Sequence, residues 1–147
     1  MKKEYRNWLA STEYDLFASV TLRQGIQRDD GTWLRITPDD IRKTAWLLRD
    51  RYTKALVGKY QNLPFLAFSE GDGPIKRCHL HIMVASTDRM TLREQSDLFR
   101  FTAMKLDWVY HEIKIRSIKG RTTPQVINYS LKEGTGAFIP EASFVPS

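Results

Sequence analysis

The stretch KRCHLHIMVAS, residues 76–86, sets two histidines around one leucine at the head of an apolar run. Side chains in a β-strand alternate between two faces, so His79 and His81 project together while Leu80, Ile82 and Val84 face the other way. The pattern predicts a strand over His79–Ala85 with its leucine face in a core. Met83 and Ala85 then share the imidazole face. Two protonated imidazoles side by side repel each other, whereas neutral rings sharing a cation do not. The plainer alternative is a pair of histidines on an ordinary exposed sheet face.

A cation needs more than two ligands. Immediately upstream, PFLAFSE (64–70) reads as another strand, and Gly71-Asp72-Gly73-Pro74 reads as a turn. If the two strands pair antiparallel, the end of one lies near the start of the next. Glu70 then reaches the histidines, with Asp72 as a competitor for the same role. Two histidines and one carboxylate leave positions open for water and substrate.

Further from the histidines, Leu16–Gln24 (LFASVTLRQ) reads as a strand. Asp29-Asp30-Gly31 is a turn and Thr32–Ile36 a short strand, the two strands suggesting a hairpin. Thr37-Pro38-Asp39-Asp40 starts a helix with an N-cap hydroxyl, proline at the first position and acidic residues in the first turn. Ile41, Ala45, Leu48, Tyr52, Ala55 and Leu56 recur at helical spacing, and Gly58 can close the helix. Thr91-Leu92-Arg93-Glu94 is a capping box that opens a second helix, to about Leu106. Trp108–Ile118 alternates as a strand, and Thr123-Pro124 opens a third helix that ends at Gly134. The order is β-β-α-β-β-α-β-α. It predicts an α+β fold, a central antiparallel sheet of about five strands with flanking helices, related to ferredoxin-like and RNA-recognition folds. One domain is expected over 1–135, with an irregular tail over 136–147.

Composition bounds the class. The 147 residues are 41% hydrophobic, which is globular rather than disordered, and no apolar run approaches membrane-spanning length. The basic N-terminus lacks an apolar stretch of signal-peptide length, and the lone Cys78 cannot form an internal disulfide. An intracellular, cytoplasmic setting is the expectation, nuclear in the case of a eukaryotic virus. A net charge of +6, from 23 basic and 17 acidic residues, suits a polyanionic partner as well as a merely basic surface.

The third helix carries a second chemical group. Ile127 and Leu131 are one turn apart and share a face suited to packing on the sheet. At about 100° per residue, Tyr129 points away from that stripe, and Lys132 lies close to Tyr129's face. A phenol beside an ammonium is a nucleophile with a cationic helper, the lysine favouring phenolate or balancing a phosphate. An amphipathic surface helix with a partly exposed tyrosine is the alternative.

These parts together resemble the HUH endonucleases, named for histidine–hydrophobic–histidine, and most of all the single-tyrosine initiators of rolling-circle replication. Phe17–Leu22 resembles the first motif, Cys78–Val84 the second, and Asn128–Gly134 the Tyr-x-x-Lys third; Glu70 sits where many members carry a third metal ligand. The similarity covers about Leu16–Gly134. It implies an HUH nuclease fold and metal-dependent, sequence-specific nicking and rejoining of single-stranded DNA. Tyr129 would attack the scissile phosphate, forming a 5′-phosphotyrosine. Glu70, His79 and His81 would hold Mg²⁺ or Mn²⁺. The implied partners are an origin or hairpin-flanked single strand and a separate helicase and polymerase, since no Walker-type motif is present. A monomer or weak dimer is expected. Tyr110 lies on a strand without a paired helical position, unlike the second tyrosine of two-tyrosine initiators.

Lys114, Arg116, Lys119 and Arg121 form a basic ribbon leading into the tyrosine helix and are expected to hold phosphates, a charged edge strand being the alternative. Asn128, beside the tyrosine, is a further DNA-contact candidate. Arg23, Arg28 and Arg35 are weaker ones. Trp33 and Trp108 are candidates to stack on a base, although tryptophan more often lies in a core. Two other functions fit the same residues: a single-strand transposase with the same chemistry, and a non-catalytic module on an RNA-recognition-like sheet.

Overall fold

The computed structural model describes residues 14–57, 63–71, 76–118 and 138–144. The elements are β1 (Leu16–Leu22), β2 (Gly25–Gln27), β3 (Trp33–Arg35), α1 (Pro38–Val57), β4 (Phe65–Glu70), β5 (His79–Val84), α2 (Leu92–Met104) and β6 (Val109–Ser117). A 3-10 turn follows at Pro140–Ala142. The architecture is α+β. Four strands form one antiparallel sheet in the order β4-β5-β1-β6, and β2 pairs with β3 in a separate two-stranded ribbon.

Alternation along each strand divides the sheet into two faces. Ala18, Val20, Phe65, Ala67, Leu80, Ile82, Val84 and Ile113 pack with α1 and α2 in the main core. The helices supply matching stripes: Ile41, Ala45, Leu48, Tyr52 and Leu56 from α1, Phe99 and Ala103 from α2. The opposite face carries a smaller cluster of Tyr14, Phe17, Leu66, Phe68, Met83 and Ile118. The histidines belong to this second face.

Both helix starts follow from their capping residues. Thr37 Oγ1 accepts the Asp40 N–H at 3.2 Å while Asp40 Oδ2 accepts the Thr37 N–H at 2.9 Å, an aspartate version of the capping box. Thr91 and Glu94 make the same reciprocal pair at the start of α2, both at 3.1 Å.

One buried polar side chain joins these layers. The Gln95 amide donates to Tyr52 Oη at 2.9 Å and to the Ala85 carbonyl at 3.4 Å, and its oxygen accepts the Thr87 N–H at 3.0 Å. Burial pushes the Tyr52 phenol up to about 12, so it remains a neutral partner. Gln95→Leu keeps the volume and strands these groups, and is expected to lower unfolding stability in urea by about 1–3 kcal/mol. An unchanged urea midpoint would show the network to be dispensable.

The expected hairpin between the first strand and Thr32–Ile36 does not form. Both edges of β1 are occupied, by β5 and β6, and at its end the Leu22 and Arg23 N–H groups go to the Cys78 and Trp108 carbonyls at 2.8 and 2.7 Å. The partner of Trp33–Arg35 is instead the three-residue strand β2. Among the described residues the main sheet therefore has four strands where about five were expected.

Phe138–Phe144 runs along the outer edge of β4. Phe144 and Phe65 exchange backbone hydrogen bonds of 2.7 and 2.9 Å, and Ile139 N–H donates to the Ala67 carbonyl at 2.8 Å. Ser143 Oγ accepts the Ala67 N–H at 3.0 Å. These bonds cover an edge that would otherwise present unpaired backbone groups. No described helix is long and apolar enough to cross a membrane. The expected third helix lies outside the described residues.

Candidate metal and nucleic-acid site

β4 ends and β5 begins at the same end of the sheet. Pairing sets Glu70 opposite His79 and Phe68 opposite His81. Their neighbours on β1 are Thr21 and Ser19, and Lys114 follows Ser19 on β6. Glu70, His79, His81 and Lys114 thus lie on one face by register. Gly71 makes the chain leave Glu70 sharply: its φ is +92°, and a Cβ there would meet the Arg77 carbonyl oxygen at 2.8 Å. Only glycine fits so close to the returning strand.

Glu70 and His81 are in direct contact, with Oε2 2.5 Å from Nε2. The His81 side chain is almost fully buried and that of Glu70 partly exposed. His79 is half-buried, its ring 6.5 Å from that of His81 and tilted by 23°. The Phe17 ring lies 5.6 Å from His81, and the Arg116 guanidinium lies 5.0 Å over the opposite neighbour, Phe17. The Phe17 ring and the Glu70 carboxylate together restrict how the His81 imidazole can turn. Its Nδ1 is buried without a hydrogen-bond partner among the described residues.

Burial and the neighbouring His81 hold the His79 imidazole below its ordinary 6.5, Arg77 adding to the effect while Glu70 and Glu112 oppose it. His79 is therefore neutral at pH 7, the form in which imidazole ligates metals. The shift also sets a pH dependence. The unfolded chain takes up this proton at the ordinary value and the folded chain only at lower pH, so stability is complete above 6.5 and declines below it. With metal chelated, the thermal midpoint should fall between pH 7.5 and 5.5 by more in the wild type than in His79→Gln. Equal falls would remove His79 as the cause.

Two imidazoles and a carboxylate on adjoining register positions suit a divalent cation in their chemistry. As they stand, Glu70 engages His81 directly, and no three His, Cys, Asp or Glu groups converge on one point among the described residues. A cation here would take the place of the direct contact between Glu70 and His81 Nε2. The donor types fit.

Beside His81 a groove of about 290 Å³ is lined by Phe17, Ser19, Lys114, Ile115 and Arg116. Two of the four residues of the expected basic ribbon, Lys114 and Arg116, therefore stand next to His81. Lys119, Arg121, Asn128, Tyr129, Lys132 and Asp72 lie outside the described residues. Arg23 and Arg77 both face the Tyr110 ring, at 5.8 and 4.4 Å. Arg28 and Arg35 are exposed at the ribbon; Trp108 is half-buried and packs on the main core, whereas Trp33 is 62% exposed.

Sequence reading missed Glu112 and the Phe17–Arg116 pair. Glu112 shares strand parity with Lys114 and Arg116, a signal that was available. Its influence on His79 depends on β5 and β6 flanking β1 on either side, which no local pattern announces. No protein-family model, curated protein or solved structure matches the chain.

Proposed function

We propose that this chain is a metal-dependent endonuclease of single-stranded DNA, of the HUH type, which nicks and rejoins strands through a covalent bond to Tyr129. The observation that supports it most is the Glu70–His81 contact where β4 ends and β5 begins, with His79 in register beside it and Lys114 and Arg116 along the adjoining groove. A Mg²⁺ or Mn²⁺ ion held by Glu70, His79 and His81 would polarise the scissile phosphate and offset its developing charge.

The residues of the chain do the rest. The Tyr129 oxygen attacks phosphorus, the bond from phosphorus to the 3′ oxygen breaks, and the phenolic proton is passed on to that oxygen. The products are a 5′-phosphotyrosine and a free 3′-hydroxyl, and reversal rejoins the strand. Bond energy is kept in the phosphotyrosine, so no nucleotide cofactor is required. Lys132 favours the phenolate or balances the phosphate. Lys114 and Arg116, with Lys119, Arg121 and Asn128, hold the strand by its backbone. The free 3′-hydroxyl is the primer that rolling-circle replication of a plasmid, phage or single-stranded DNA virus needs, with helicase and polymerase supplied separately.

The test is a denaturing gel of end-labelled single-stranded origin DNA incubated with the protein. A slow-migrating adduct that forms with Mn²⁺ and disappears with EDTA is expected. Metal-independent cleavage, or none on any single-stranded substrate, would contradict the proposal. Excision of an element with hairpins near its ends, rather than nicking at an origin, would assign the same chemistry to a transposase.

A further inference from the structure

We propose that Trp33 is a stacking platform for an unpaired base of single-stranded DNA, held flat by Gly25 on the outer face of the β2–β3 ribbon. The choice of ligand rests on the function proposed above; the platform itself rests on the ribbon's geometry.

Register pairs Gly25 with Arg35 and Gln27 with Trp33, so these four residues share one face of the ribbon. Ile26 and Leu34, on the other face, are half-buried. The indole does not fold into a core. It crosses diagonally onto Gly25, where a Cβ would meet its ring atoms at 2.3–2.4 Å. Gly25 is buried beneath it, while Trp33 stays 62% exposed. One side of the ring is therefore seated on backbone and much of the rest is open to water. A large rigid ring held this way loses little conformational freedom when a base stacks on it.

Charge selects the partner. Arg35 is exposed on the indole's face of the ribbon, Arg28 is exposed just past Gln27, and Arg23 lies at the root of the ribbon. Asp29 and Asp30 occupy the tip, where Thr32 engages the Asp30 carboxylate through its N–H and hydroxyl at 2.9 and 2.6 Å. A polyanion is therefore favoured along the stem of the ribbon and not over its tip. The stem leaves the sheet at the histidine end: Thr21, across from His79, is four residues from Gly25, a reach of at most about 14 Å. A strand seated at the histidines can continue onto Trp33.

The experiment is fluorescence anisotropy of a fluorescein-labelled 20-nucleotide single strand in EDTA, where no cleavage intrudes. Trp33→Ala should weaken binding about tenfold, and Gly25→Val, which displaces the ring without removing it, should weaken it similarly. Strands with abasic positions should bind the wild type about as weakly as normal DNA binds Trp33→Ala. The slope of affinity against salt should stay unchanged in both variants, because no phosphate contact is lost. Trp33→Ala binding within twofold of wild type, or equal binding of abasic and normal strands by the wild type, would overturn the platform. If the wild type forms the Mn²⁺-dependent adduct while Trp33→Ala binds as tightly, the platform alone fails. Trp33-dependent binding without any adduct supports the platform and removes only the nickase.

Discussion

Tyr129→Phe is expected to eliminate the covalent protein–DNA adduct, lowering nicking by about 10⁵-fold or more, while single-strand affinity stays within about twofold of wild type. The substitution removes one oxygen, the atom that would bond to phosphorus, and keeps the ring. Loss of a nucleophile is not a partial defect, because no neighbouring group can take over a bond that is not formed. Lys132→Ala should be milder, a fall of about 10²-fold, since it removes charge support and leaves the attacking atom. Denaturing gels measure the adduct and anisotropy measures binding. A persistent adduct in Tyr129→Phe would transfer the role to another residue, Tyr110 being the first to test.

The second large effect falls on the carboxylate–imidazole pair. His81→Ala should weaken Mn²⁺ binding by more than about a hundredfold in calorimetry, because the loss of outer-shell partners alone commonly costs 10–100-fold. Nicking should fall about a thousandfold. His81 is almost fully buried, stacked on Phe17 and bonded to Glu70, so its truncation also leaves a hole and removes one contact of the Glu70 carboxylate. Glu70→Gln separates the two causes. The amide keeps the size and a hydrogen bond to His81 but is a poor ligand for a divalent ion, so metal affinity and nicking should drop while the thermal midpoint of the chelated protein changes little. Mn²⁺ affinity unaffected by both substitutions would exclude this site.

Much of the fold was legible because its signals are local. Thr37-Pro38-Asp39-Asp40 and Thr91–Glu94 announced both helix starts through side chains that cap their own backbone. Strand parity alone put His79 and His81 on the face opposite Leu80 and Ile82, and antiparallel pairing of the strand that ends at Glu70 with the one that starts at His79 brought it to them. What escaped was non-local. Nothing within Leu16–Leu22 says that both of its edges will be taken by strands sixty and ninety residues later, which is why the hairpin partner of Trp33–Arg35 was misassigned to it. The Phe17 ring against His81 joins two strands far apart in sequence, so its part in orienting the imidazole required the structure. Trp33 shows the same limit. A tryptophan between turn residues is ambiguous, and only the register that sets Gly25 beneath it shows an exposed ring rather than a core one.

Peptide mapping by mass spectrometry tests the central claim most directly. After reaction with single-stranded DNA and Mn²⁺, followed by nuclease and trypsin, the peptide Thr122–Lys132, which contains one tyrosine, should carry a 5′-phosphoryl nucleotide on Tyr129, and it should be unmodified when EDTA is present throughout. A nucleotide attached to any other residue, or attachment that forms equally well without a divalent ion, would contradict the account.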